Sequence, residues 1–143
     1  MHDNPEIVLV QNEQQLADAL RIRELVFVKE QGISQDLDLD GKDEYAQNVI
    51  MCLRDAVIGT GRVVIDGAQA TLSRIAVTSP YRGNGYAGMI VRKLEELALL
   101  QGATAFELYP HAHLRALYER LGYRKAESEQ YEVCGHPLIR MSK

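Results

Sequence analysis

The densest group of residues able to hold an anion is Tyr81-Arg82-Gly83-Asn84-Gly85-Tyr86-Ala87-Gly88. The run contains G-x-G-x-x-G, the spacing of a dinucleotide-binding turn, and also Arg82-x-x-Gly85-x-Ala87, the spacing of a different phosphate cradle. The first four N–H groups of a helix have no partner within it, and the helix dipole adds partial positive charge at that end. Glycines let a phosphate approach the backbone with no Cβ in the way, and Arg82 can add a charge-assisted hydrogen bond. Three readings compete: a phosphate-bearing cofactor, a Rossmann-type dinucleotide, or a solvent-exposed turn that binds nothing.

Groups able to move a proton are few. Glu30 and Glu107 are bases by type, although Glu is more often a solvated or structural carboxylate. His111 and His113 flank a helix start, where a capping or surface role competes with an imidazole base. Tyr118 shares an apolar stripe with Leu114, Leu117 and Leu121, the pattern of a packed core tyrosine. Its phenol, with a pKa of about 10, is also protonated at neutral pH and able to donate. Asp36-x-Asp38-x-Asp40-Gly41 opens like a calcium loop, but Gln47 stands where the bidentate Glu should be and a strand follows instead of a helix. We therefore expect a solvated acidic loop and no metal.

The elements that must position these groups are readable from periodicity. Glu6–Val10 reads as a first strand. Asn12 followed by Gln15 opens a helix as a capping-box variant, carrying Leu16, Ala19 and Leu20 toward Val26-Phe27-Val28, with Gly32 closing it. Residues 33–46 read as a loop. Asn48–Leu53 and Val57–Ile65 are strands joined at Arg54-Asp55-Ala56, and Ala70–Val77 follows the Asp66-Gly67 turn. After the glycine loop, Ile90, Leu94, Leu97 and Ala98 form one helical stripe ended by Gly102. Thr104–Leu108 is a strand, and the strand–helix–strand crossover makes it a parallel neighbour of Ala70–Val77. A short helix over Leu114–Leu121 ends at Gly122. The tail reads as a hairpin of Tyr131–Val133 and Leu138–Met141 with Gly135-His136-Pro137 in the turn. The expected class is α/β (α+β), a mixed and mostly antiparallel sheet flanked by helices. This order weakens the Rossmann reading despite Glu107 lying at a suitable distance, because antiparallel strands come first and only one βαβ unit exists.

The 143 residues fit one domain spanning 1–143, with ordinary apolar content. A net charge of −4 argues against a nucleic-acid binder. Cys52 and Cys134 lie far apart in no C-x-x-C pattern and are expected to be reduced thiols. The start of the chain is polar and acidic, and no apolar run is long enough to span a membrane. A cytoplasmic protein without membrane attachment is expected.

The segment Ser73-Arg74-Ile75-Ala76-Val77-x-x-x-Tyr81-Arg82-Gly83-Asn84-Gly85-Tyr86-Ala87-Gly88 resembles the acetyl-CoA motif of the GNAT superfamily of N-acetyltransferases. Leu117-Tyr118-Glu119-Arg120-Leu121-Gly122-Tyr123 resembles that family's second signature, and Val26-Phe27-Val28-x-Glu30-Gln31-Gly32 is similar to a small bacterial subgroup. The resemblance implies a sheet splayed between its fourth and fifth strands, with coenzyme A in the gap. It implies that the backbone N–H groups of Arg82, Gly83, Asn84, Gly85, Tyr86 and Ala87 hold the pyrophosphate, with Gly88 also among the cofactor-binding residues. The strand carrying Ile75, Ala76 and Val77 would pair with the pantetheine arm. Tyr118 would be the general acid. Glu30 would be a base or acceptor contact, and Phe27, Gln31, Glu107 and His111 would face the acceptor. The implied activity is direct acetyl transfer from acetyl-CoA to a small-molecule or peptide amine, and a homodimer is the family expectation. A non-catalytic acyl-CoA-binding or sensing domain of the same fold is the alternative. An acidic loop beside the acceptor would favour a cationic amine by long-range attraction.

Overall fold

The computed structural model describes residues 4–126 and 131–143. A seven-stranded sheet runs in the order β1-β2-β3-β4-β5-β9-β6. Its strands are β1 (Glu6–Leu9), β2 (Gln47–Leu53), β3 (Ala56–Asp66), β4 (Gln69–Val77), β5 (Ala105–Leu108), β6 (Arg124–Lys125) and β9 (Met141–Ser142). All pairs are antiparallel except β4 with β5, where the crossover through α3 (Tyr86–Leu100) forces a parallel match. That parallel pairing covers only Gln69–Thr71 against Ala105–Glu107. Beyond Thr71, β4 runs on to Val77 while β5 ends at Leu108, so the sheet splays between its fourth and fifth strands as expected.

Local chemistry explains the helices. Asn12 caps α1 (Glu13–Arg23) by accepting the Gln15 N–H at 2.8 Å, and Gln15 Oε1 accepts the Gln11 N–H at 2.7 Å. The helix then widens into a π-helical stretch, Glu24–Glu30, whose i→i−5 bond runs from Gln31 N–H to Val26 O at 3.1 Å. Gly32, at φ +72°, ends it. α3 presents Ile90, Val91, Leu94 and Ala98, all fully buried, to the sheet. It lies so close to β3 that a Cβ on Gly61 would stand 2.5 Å from Ile90 Cγ2. Side chains alternate across β3, so Arg62 points to the opposite face, where α1 packs.

Two details differ from expectation. The tail hairpin pairs β7 (Tyr131–Val133) with β8 (His136–Leu138), so its turn is Cys134-Gly135, with φ of 45° and 81°, and His136-Pro137 is strand. Met141 is not part of that hairpin; β9 inserts into the main sheet between β5 and β6. Residues 33–46 are also not a plain loop, since they hold α2 (Gln35–Asp38) and a 3-10 turn, Lys42–Glu44. Among the described residues no helix is long and apolar enough to cross a membrane.

Candidate functional site

The glycine run opens α3, and its amides are left over. After β4 the chain makes a 3-10 turn, Ser79–Tyr81, then passes through Gly83 and Gly85 at φ of 83° and 78°. Among the described residues no side chain caps the helix. Among the described residues, the N–H groups of Gly83, Asn84, Gly85, Tyr86, Ala87 and Gly88 have no acceptor, and the first helical bond is Met89 N–H to Gly85 O at 3.3 Å. The space where a Cβ would sit on Gly83 and Gly85 is open. A row of unpaired donors on the positive end of a 15-residue helix has the donor chemistry to attract an anion. Arg82 stands at its edge but is occupied. Its Nε donates to Val77 O at 2.8 Å, and its two terminal nitrogens fork onto Glu30 at 2.6 and 2.9 Å.

Beside this helix end is the gap in the sheet. Ala76 and Val77 pair with β3 through Thr60 and Gly59, which leaves the other edge of β4 without a strand from Leu72 to Val77. A cavity of about 380 Å³ fills the space, walled by Ile75, Leu108, Phe27, His111, Leu138 and Tyr118 among others. That volume is in the range of small-molecule sites.

Tyr118 comes from α4 (Arg115–Arg120) and is 5% exposed. The ring packs edge-on against Tyr123 at 6.2 Å, and the side chain also reaches the cavity wall. Burial pushes its phenol up to about 12, so it keeps its proton at every physiological pH. Three contacts fix its position. Tyr123 donates to the buried Glu95 of α3 at 2.7 Å, and that burial and bond raise the Tyr123 phenol further still. Lys143 reaches the same carboxylate at 3.2 Å. A Cβ on Gly88 would lie 3.3 Å from Leu121, so glycine lets the end of α4 approach the start of α3.

The residues expected to serve as base or acceptor contacts separate. Phe27 and His111 line the cavity with Ile75 and Tyr118; Glu30, Gln31 and Glu107 do not. Glu30 is bound to Arg82. Glu107 accepts from Thr71 Oγ1 and from Arg140 Nε, both at 3.2 Å, and so ties β5 to its neighbours. Gln31 offers its backbone carbonyl to His136 Nε2–H at 2.7 Å. His136 is a participant that sequence reasoning assigned to a turn. Its ring stacks edge-on against His111 at 5.0 Å, and His113 lies 5.7 Å away on the other side. Partial burial, then the neighbouring His136 and His113, push the His111 imidazole below its ordinary value, so it is neutral near pH 7. Among the described residues no group of His, Cys, Asp or Glu has the arrangement of a metal site.

The acidic segment folds over three arginines from different elements and makes a closed ring of alternating charge. Arg23 of α1 binds Asp38 at 3.2 Å, Asp38 binds Arg74 of β4 at 3.0 Å, and Arg74 binds Asp40 at 3.2 Å. Asp40 binds Arg62 of β3 at 2.8 Å, Arg62 binds Asp43 at 3.3 Å, and Asp43 returns to Arg23 at 2.8 Å. Arg23 is fully buried and Asp38 nearly so. Burial alone would raise the Asp40 and Asp43 carboxyls, yet the arginines more than offset it and hold both below the usual carboxylate range. The segment is therefore not a solvated acidic surface. Asp38, Asp40 and Asp43 are each neutralised by two guanidiniums, whereas Asp36, the first carboxylate of the calcium-like run, is exposed and lies outside the ring. The ring also explains Arg74, a non-glycine at φ 56° in the bulge of β4 where the register against β3 shifts.

Comparison with known proteins matches residues 15–123 to the Acetyltransferase (GNAT) family. The uncharacterised N-acetyltransferase YjcF of Bacillus subtilis is 31% identical over 136 residues, covering 95% of this chain and 97% of that protein. A solved structure from Lactobacillus plantarum is 29% identical with a TM-score of 0.88, over 97% of each chain. A Bacillus subtilis acetyltransferase solved in complex with CoA shares the fold at a TM-score of 0.75, with 17% identity and 97% of each chain covered.

Proposed function

This chain belongs to the GNAT acetyltransferase family, and from that premise we propose that it transfers an acetyl group from acetyl-CoA directly to a primary amine. Both substrates would be bound together. The observation that carries the reading is the row of unpaired amides from Gly83 to Gly88, opening α3 beside the unpaired edge of β4. The open space before Gly83 and Gly85 fits a diphosphate approaching the main chain. The bare edge of β4 at Ile75 and Val77 fits an extended amide-bearing arm added like a strand. An acetyltransferase of the same fold was solved in complex with CoA, which supports CoA as the ligand class.

When bound, acetyl-CoA supplies an acetyl group activated as a thioester. The chain's own residues do the rest. Tyr118 holds its proton at the cavity wall and donates it to the departing sulfur. His111, neutral and on the same wall, accepts the proton of the attacking amine, the role that Glu30 and Glu107 are too committed elsewhere to fill. Phe27, Leu138 and Leu108 keep water from the thioester.

The test is free-thiol release from acetyl-CoA across a panel of amines, with the acetylated product identified by mass. Release that depends on an added amine supports the reading. Tight CoA binding with no release against any amine contradicts it and leaves a non-catalytic acyl-CoA-binding domain.

A further inference from the structure

Arg62, Arg74, Asp38 and Asp40 of the charged ring line the cavity, and the donors there are not all used. We propose that this lining receives a carboxylate, so that the acceptor is an amine carrying a carboxylate on an apolar body. The inference rests on the acetyltransferase reading and assigns its acceptor class.

Arg74 lines the cavity. Its Nε and Nη2 are spent on Asp38, Asp40 and the carbonyls of Leu37 and Asp38. Its Nη1 has no acceptor among the described residues, which leaves donors of a planar fork suited to a carboxylate oxygen. Lys42 lines the same cavity, and among the described residues its ammonium has no ion pair; its hydrogen bonds are made by its backbone, the N–H donating to Asp40 at 3.1 Å and the carbonyl accepting from Tyr45 and Ala46. The ring balances three arginines against three aspartates, so Lys42 adds a cation with nothing opposite it. Arg74 is itself under-compensated: burial, then repulsion from Arg62, outweigh the pull of Asp38 and Asp40 and lower its hold on the proton. An anion at Nη1 relieves that imbalance, whereas a second ammonium on the acceptor would worsen it. The lining also includes Phe27, Ile33, Leu108, Leu114 and Leu138, which suit a hydrocarbon body. This reverses the preference for cationic acceptors that the acidic sequence of residues 33–46 suggests.

The experiment compares two matched pairs, leucine with 3-methylbutylamine and 6-aminohexanoate with hexylamine. Acetylation rates are corrected to the fraction of free amine. Each compound is also titrated calorimetrically into the CoA-loaded protein. In at least one pair the carboxylated member should show kcat/KM about tenfold or more higher, expressed in KM, because a charged hydrogen bond is gained. Lys42→Met, a change at an exposed position, should narrow that ratio by about threefold or more. Equal rates in both pairs, or preference for the uncharged members, overturns the carboxylate site while leaving acetyl transfer intact. Lack of CoA binding overturns the transfer reading instead, and calorimetry of the carboxylates with the unloaded protein then decides this one: binding supports it, and no binding overturns it.

Discussion

Tyr118→Phe separates packing from catalysis in one side chain. The substitution keeps the ring that packs on Tyr123 and removes a hydroxyl for which no hydrogen-bond partner is found among the described residues. At pH 7 stability should move by less than about 1 kcal/mol. Alkaline pH is different. The folded phenol is pushed up to about 12 by burial, against an ordinary value of 10.0. A raised folded pKa means that the stabilisation is whole below pH 10 and is lost as pH climbs toward 12. The full loss is about 2.7 kcal/mol, and at pH 11 it has reached about 1.4 kcal/mol. Phe has no proton to lose. Urea unfolding at pH 9 and pH 11 should therefore show the variant gaining about 1.4 kcal/mol on the wild type between the two. Tyr123 titrates in both proteins and cancels. At neutral pH, amine-dependent thiol release should fall roughly 10²- to 10⁴-fold, the range for a lost general acid, while CoA affinity holds. Turnover that survives unchanged would refute the acid role. Parallel pH curves for the two proteins would refute the burial argument behind it.

Other outcomes follow from the same structure. Gly61→Ala drives a methyl into Ile90 and Leu94 and should lower stability by about 1–3 kcal/mol in thermal or urea unfolding. Arg23→Ala leaves Asp38 and Asp43 each short of a partner in a buried ring and should remove about 3–5 kcal/mol, read by the same unfolding curves. His111→Asn should lower kcat and abolish its acid limb, which in the wild type lies below the ordinary histidine value of 6.5 because protonation of the depressed imidazole removes the base.

Much of this architecture was legible because it is set by local chemistry. The Asn12 cap, the Ile90–Leu94–Ala98 stripe and the glycine stops at Gly32 and Gly102 each follow from a few neighbouring residues, and the βαβ crossover fixes the parallel pair. The tail hairpin was misjudged because Cys134 occupies a left-handed position that glycine or asparagine usually holds, so the turn signal pointed one residue too far along. The charge ring was invisible for another reason. Arg23, Arg62 and Arg74 sit on three separate elements, and the two halves of every Arg–Asp pair in the ring stand at least 15 residues apart in the chain. An acidic run therefore read as solvent-facing. In the candidate site, residues on the same wall as Tyr118 were foreseen where an element aims them, as with Phe27, Ile75 and His111. Glu30 and Glu107 were named by residue type, and type does not reveal that each already has an arginine.

The central claim is that the main-chain donors of Gly83 to Gly88 grip the diphosphate of coenzyme A. Amide chemical shifts of the isotope-labelled protein, followed while CoA is titrated, test it most directly. The account predicts saturable, downfield movement concentrated at Gly83, Asn84, Gly85, Tyr86, Ala87 and Gly88, with the bare edge of β4 following at Ile75 and Val77. Shifts that leave the start of α3 still while CoA binds elsewhere would contradict it.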